Sequence, residues 1–104
     1  MAVISHTNEN NFAEGIERIL GRYSDAEQPL RAWYANVKHA DWKTPSDVKA
    51  AYRNASFVQN NRVIFNIKGN SYRLVAAINY QYRIVYIRFV GTHQVYDKID
   101  PATI

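Results

Sequence analysis

Cysteine is absent from the 104 residues. That excludes disulfides, zinc ribbons, CxxC redox chemistry and any thiol nucleophile. Glycine and proline are scarce, at four and three residues, which rules out collagen-like and low-complexity organisation. Long apolar runs are missing as well. The longest aliphatic stretch is Leu74–Ile78, far below the ~20 residues of a membrane helix, so no membrane partner is expected. The opening Met1-Ala2-Val3-Ile4-Ser5 has no basic stretch leading into a long apolar segment. No secretory signal is expected, and the cytoplasm is the expected compartment. No HExxH, EF-hand, P-loop or GxSxG pattern occurs, so neither a metal site nor a cofactor is expected.

One further absence is local. No Asp or Glu stands between Val48 and Tyr96. Residues 1–50 carry six bases against seven acids, whereas residues 51–104 carry seven bases (Arg53, Arg62, Lys68, Arg73, Arg83, Arg88, Lys98) against Asp97 and Asp100. The overall net charge of +4 therefore belongs to the second half. A basic surface without compensating acids attracts polyanions at long range.

Hydrophobic residues make up 47% of the chain, enough for one compact domain spanning residues 1–104. The first half reads as helices and the second as strands, an α+β domain. Apolar residues at Phe12, Ile16, Ile19, Leu20 and Tyr23 trace one helical face. Leu30, Trp33, Tyr34 and Val37 form the stripe of a second helix, with Ser24 or Asp25 available to cap it. Thr44-Pro45-Ser46-Asp47 opens a third, short helix through about Tyr52: a capping hydroxyl, Pro at the first position and an acid in the first turn. Met1–Ser5 is a candidate edge strand. Ala55–Gln59, Arg62–Lys68, Ser71–Asn79 and Arg83–Val90 are rich in β-branched and aromatic residues. Asn60-Asn61 and Gly69-Asn70 fit hairpin turns, and a weaker signal places the third turn at Tyr80-Gln81. Thr92 is an N-cap residue for one or two helical turns from His93.

Two-residue turns at each junction set Asn66 opposite Arg73, and Arg73 opposite Arg88. Alternation then divides the side chains. One face collects Val63, Phe65, Ile67, Tyr72, Leu74, Ala76, Ile78, Val85, Ile87 and Phe89, an apolar surface for the helices to cover. The other collects Arg62, Ile64, Asn66, Lys68, Ser71, Arg73, Val75, Ala77, Ile84, Tyr86, Arg88 and Val90, and so every strand base except Arg83. A like-charge pair in mid-sheet is destabilising. Either an anion lies between Arg73 and Arg88, or an acid reaches in from the helices or the tail. Guanidinium is well suited to bidentate phosphate binding. His93 and Tyr96, three apart on a helix, share a face at the rim of this surface. His93 there is either a proton-transfer group or an ordinary hydrogen-bonding residue, and Tyr96 either stacks on a base or packs its helix.

Two stretches go beyond pattern. Phe65-Asn66-Ile67-Lys68-Gly69-Asn70-Ser71-Tyr72-Arg73-Leu74-Val75 resembles the FNIxGNxYRLV segment of HigB-type toxins. Ile87-Arg88-Phe89-Val90-Gly91-Thr92-His93, followed by Tyr96-Asp97-Lys98-Ile99, resembles their IRFVGTHxEYDKI ending. Trp42-Lys43-Thr44-Pro45 also fits, and the resemblance covers roughly residues 30–100. It implies a toxin of the RelE/ParE superfamily from a bacterial type II toxin–antitoxin pair. The fold implied is a RelE-like twisted antiparallel sheet of about four strands, with N-terminal helices on one face and a short C-terminal helix.

The function implied is an mRNA endoribonuclease that cleaves ribosome-bound mRNA without metal and is silenced by a cognate, HigA-like helix-turn-helix antitoxin. Arg73, Arg88, His93 and Tyr96 are the catalytic candidates, and Arg62, Lys68, Asn70, Tyr86 and Lys98 the RNA-binding ones. A non-catalytic RNA-binding module and a ParE-like gyrase poison are the alternatives. One position departs from the family pattern: Val95 stands where a Glu is usual. Such a Glu would complete a capping box with Thr92, so a looser helix start is expected.

Overall fold

The computed structural model describes residues 1–5, 21 and 23–104. Most of the helix expected on Phe12, Ile16, Ile19, Leu20 and Tyr23 lies outside the described residues; of its C-terminal end, Gly21 is helical and Tyr23 is not. Five strands form one sheet: β1 (Ala2–Ser5), β2 (Ser56–Val58), β3 (Arg62–Ile67), β4 (Tyr72–Asn79) and β5 (Ile84–Thr92). Their spatial order is β1-β5-β4-β3-β2. The four C-terminal strands are antiparallel neighbours, as expected. The candidate edge strand at the N-terminus pairs parallel with β5, so the sheet is mixed and has five strands rather than four.

Among the described residues the helices α1 (Glu27–His39), α2 (Pro45–Ala51) and α3 (His93–Tyr96) accompany it. The stripe on α1 buries Leu30, Trp33 and Val37. Neither Ser24 nor Asp25 caps α1. They form a short 3-10 turn (Ser24–Ala26), and the N-cap position falls to Ala26, without a side-chain bond. The start of α2 follows its sequence closely. Thr44 and Asp47 form a reciprocal capping box with Pro45 at the first position, a local solution worth roughly 1 kcal/mol.

The helices cover the inner face of the sheet. Phe65 is 1% exposed, and the rings of Trp33, Trp42 and Tyr52 surround it at centroid distances of 5.4, 6.2 and 5.1 Å. Burial of each large apolar side chain here contributes about 1.5–3 kcal/mol. Val63, Ile67, Leu74, Ala76, Ile78, Val85 and Ile87 complete the same cluster. Ile64 and Val75 are buried too, but they point to the opposite, outer face.

The β3–β4 register agrees with expectation, with Asn66 opposite Arg73. The β4–β5 register does not. Arg73 lies opposite Gly91, and Arg88 is not its partner. Two local features move it. The turn takes four residues, Tyr80–Arg83, between the paired Asn79 and Ile84. Arg83 has φ 58°, and its guanidinium donates to Asp41 Oδ1 at 2.8 Å and to the Tyr80 carbonyl. Then, between Val75 and Ala76, the ladder skips from Phe89 to Ile87 and leaves Arg88 as the extra residue of a β-bulge.

Beyond the bulge, alternation flips. Phe89, expected in the core, stands opposite Val75 on the outer face. Val90, expected outside, stands opposite Leu74 and packs against the core. Among the described residues no helix is long and apolar enough to cross a membrane.

Candidate RNA-binding face

The outer face has two ends. At one end, Arg73 of β4 is half-buried and flanked by Asn66 and Gly91 on the neighbouring strands. Its guanidinium donates to the Asn70 carbonyl at 3.1 Å, which ties it to the Lys68–Ser71 turn. That turn is anchored from the helix side. Lys68 leaves the alternation at φ 53° and pairs with Asp25 Oδ2 at 2.7 Å. It is therefore not one of the unpaired bases of the outer face. Tyr72 donates its hydroxyl hydrogen to the other Asp25 oxygen. This bond is the main cause that pushes the Tyr72 phenol up to about 12. The Lys68 bond, then the Tyr72 bond, hold the Asp25 carboxyl below its ordinary range.

Gly91 is buried, and the Phe89 ring fills the space over it: an added Cβ would lie 2.8 Å from Phe89 Cζ. Phe89 in turn meets Tyr96 at 6.4 Å between ring centroids. Because β5 ends at Thr92, opposite Tyr72, α3 starts beside the Arg73 end. Thr92 caps it by accepting from Val95 N–H at 3.3 Å. The return bond that a Glu at position 95 would make has no counterpart in Val95, which stands exposed. His93 is partly exposed, with Nδ1 at 4.0 Å from Asp97 Oδ2. A cavity of about 320 Å³, lined by Tyr52, Arg53, Asn54 and Asn66, borders the same end.

At the other end, Arg88 meets Arg62 instead of Arg73. Arg88 Nε and Arg62 Nη2 both donate to the Ile104 main-chain oxygen, at 3.2 and 2.9 Å. Asn60 Nδ2 donates to the Ala102 carbonyl at 2.8 Å, so residues 102–104 lie along this end of the face. No Asp or Glu side chain pairs with Arg62 or Arg88 among the described residues. Burial first, and the Arg88 charge second, pull the Arg62 guanidinium below its ordinary pKa.

The face thus brings together Arg73, Asn70, His93 and Tyr96 at one end and Arg62, Arg88 and Tyr86 at the other; Lys98 stands exposed just after α3. Sequence reasoning missed Phe89 as a member of this face, and the link from Asp25 to the Arg73 turn. The pairing of Phe89 with an uncovered Gly two residues on was the available signal for the first.

A five-stranded mixed sheet with helices on one face, a short C-terminal helix and an acid-poor outer face defines a RelE-like α+β protein. The HigB toxin family, described as the RelE-like toxic component of a toxin–antitoxin system, matches residues 26–99. The chain belongs to this family. Both stretches that carry the resemblance, from Phe65 and from Ile87, fall within the matched region. An mRNA interferase HigB of Escherichia coli O6:H1 (strain CFT073) is 26% identical over 85 residues, covering 80% of this chain and 82% of that protein.

Proposed function

We propose that this toxin is an endoribonuclease that cleaves mRNA on the ribosome, with the Arg73 end of the outer face as its reaction centre. The observation that carries the reading is the convergence there of a tethered guanidinium and a helix start bearing His93 and Tyr96, on a face whose strands contain no acid. The name of the Escherichia coli relative supports it.

The reaction is transesterification without a metal ion. The ribose 2′-oxygen attacks the adjacent phosphorus, the O2′–P bond forms, and the P–O5′ bond breaks, leaving a 2′,3′-cyclic phosphate and a 5′-hydroxyl. Arg73 stabilises the charge that grows on the phosphoryl oxygens; its bond to the Asn70 carbonyl holds it in place beforehand, so little reorganisation is required during reaction. His93 transfers a proton. Tyr96, backed by Phe89, stacks on a base next to the scissile bond. Arg62, Arg88, Asn70, Tyr86 and Lys98 bind the strand; Lys68, paired with Asp25, contributes least.

The site has a single acid–base candidate, and positioning of the substrate by the ribosome supplies part of the remaining rate. The antitoxin partner is a HigA-like helix-turn-helix protein whose acidic segment covers the basic face. Its association rate then falls steeply with salt.

The test is cleavage of mRNA on purified ribosomes, followed by primer extension. Defined cut sites within bound mRNA are expected. Intact mRNA with unimpaired translation would refute the reading, and inhibition of DNA gyrase would replace it with a ParE-like one.

A further inference from the structure

We infer that the far end of the outer face carries a pocket for one unpaired nucleobase, built on the row Arg62–Ala77–Tyr86. These three residues sit side by side on β3, β4 and β5, and their side chains share the outer face. Neighbouring strands are about 4.8 Å apart, so the backbones bearing Arg62 and Tyr86 stand about 10 Å apart. Between them Ala77 projects only a methyl group. The gap above it suits a flat ring, with the Tyr86 ring on one side and the planar guanidinium on the other. Unpaired bases are held in this way, by aromatic rings and guanidinium planes, and are read through hydrogen bonds along their edges.

The pocket is an open depression of about 500 Å³, and Asn61, Asn79 and Gln81 line its edge. Amide side chains offer a donor and an acceptor together, which matches the edge of a base. Asn61 and Gln81 make no side-chain hydrogen bond among the described residues. Asn79 uses its oxygen to accept from Tyr82 N–H at 3.0 Å, leaving its NH₂ group to donate. Arg62 Nε is buried and lacks an acceptor among the described residues. Its Nη1 and Nη2 groups donate to the Asn60 carbonyl and the Ile104 oxygen, and the Asn60 bond orients the guanidinium independently of the Ile104 oxygen. Arg62 and Arg88 already converge on one oxygen, that of Ile104, and a nucleotide phosphate taking its place would meet the same two guanidinium groups. The ligand class is thus a ribonucleotide within a single strand, the phosphate at Arg88 and the base over Ala77.

This pocket rests on the reading of the outer face as RNA-binding, but it is separate from the reaction centre. Tyr86 and Gly91 are five residues apart on β5, about 15 Å along a strand. A substrate strand lying along β5 would place its cleaved bond at Arg73 and a second, recognised base here.

The experiment titrates the isotope-labelled full chain with each of the four ribonucleoside monophosphates, and with inorganic phosphate at matched ionic strength, followed by NMR. Saturable shifts at the backbone amides of Asn61, Ala77, Gln81 and Tyr86 are expected, strongest for some bases and absent with phosphate alone. Tyr86→Ala should weaken binding at least about tenfold, whereas Tyr86→Phe retains it. Gln81→Ala, on an exposed turn, should change the order of preference among bases without touching the core. The proposal is overturned if phosphate reproduces the shifts, if the shifts appear only around Arg73 and Gly91, or if Tyr86→Ala and Gln81→Ala both bind like wild type. Because nucleotide binding is read without cleavage, an inactive toxin that still shows these shifts would refute the proposed function and leave the pocket standing.

Discussion

The two ends of the outer face are built from the same residue type and handle it in opposite ways. At one end a single guanidinium, Arg73, is tethered to a turn, and its strand neighbours Asn66 and Gly91 bring no charge. At the other end Arg62 and Arg88 approach each other and share the Ile104 oxygen. A lone, held cation with an open neighbour suits charge that appears only in a transition state. A pair of cations already facing an oxygen suits ground-state binding of an anion. The four-residue Tyr80–Arg83 turn and the β-bulge at Arg88 together create the difference: the turn already sets Arg88 away from Arg73, and the bulge leaves it out of the ladder.

Arg73→Ala is expected to break the proposed reaction centre most severely. Removing one preorganised charge should lower the cleavage rate on ribosomes by about 10²–10³-fold. Its thermal stability should change little, since the exposed bond to the Asn70 carbonyl contributes about 1 kcal/mol at most. Normal cleavage by this variant, or a loss that tracks unfolding, would remove Arg73 from the reaction centre. His93→Ala should impair cleavage less, by about 10²-fold, the lower end of what a positioned proton-transfer group supplies. Rapid-quench measurement of single-turnover cleavage distinguishes the two.

Gly91→Ala sharpens the same contrast from the floor of the site. The new methyl group must move Phe89, whose ring tip lies 2.8 Å from it, and Phe89 supports Tyr96. A drop in activity of about tenfold, through misplacement of about an ångström, is expected with the inner core intact. Near-ultraviolet circular dichroism would show whether the aromatic environment has shifted. Arg88→Ala and Arg62→Ala should behave differently from all three. Each should reduce the slope of RNA affinity against salt by about 0.7 on a log–log plot and leave single-turnover cleavage at saturating ribosomes close to wild type. A collapse of the rate in Arg88→Ala would merge the two ends into one site.

The smallest effect concerns the anchor behind Arg73. The carboxyl of Asp25 is held below its ordinary range by Lys68 and Tyr72. A carboxyl with a depressed folded pKa lends stability that is fully present above the unfolded value, near 4, and lost as pH falls through the folded one. Asp41, paired with Arg83, and Asp47, accepting from Lys43 N–H, act in the same direction. Melting temperature should therefore fall below about pH 4. Asp25→Asn should flatten part of that fall while lowering activity slightly at neutral pH, through a looser Lys68–Ser71 turn. A pH profile identical to wild type would show that the anchor does not matter.

The amino-acid sequence by itself determined the elements whose causes are local. Thr44-Pro45-Ser46-Asp47 carries its own cap and its own proline at the first helical position, so α2 begins where those residues say. Gly69-Asn70 closes a tight turn, and the register it sets puts Asn66 against Arg73 regardless of what packs around it. Period-two alternation over β3 and most of β4 separates Phe65 and Leu74 from Arg62 and Arg73, because a strand buried on one side punishes a one-residue slip. The acid-free stretch between Val48 and Tyr96 leaves the strands of the outer face without any acid to offset their bases.

Only the tertiary structure decided which basic residues would meet. The Tyr80–Arg83 turn is tied down by an ion pair between Arg83 and Asp41, 42 residues away in sequence. The bulge at Arg88 answers to packing on both faces at once: Ile87 must stay in the core while Phe89 crosses to the outer side. Lys68 was drawn off the basic face by Asp25, and the Ile104 oxygen arrived at Arg62 and Arg88 from the far end of the chain. Each of these depends on contacts between segments distant in sequence, which no local pattern encodes.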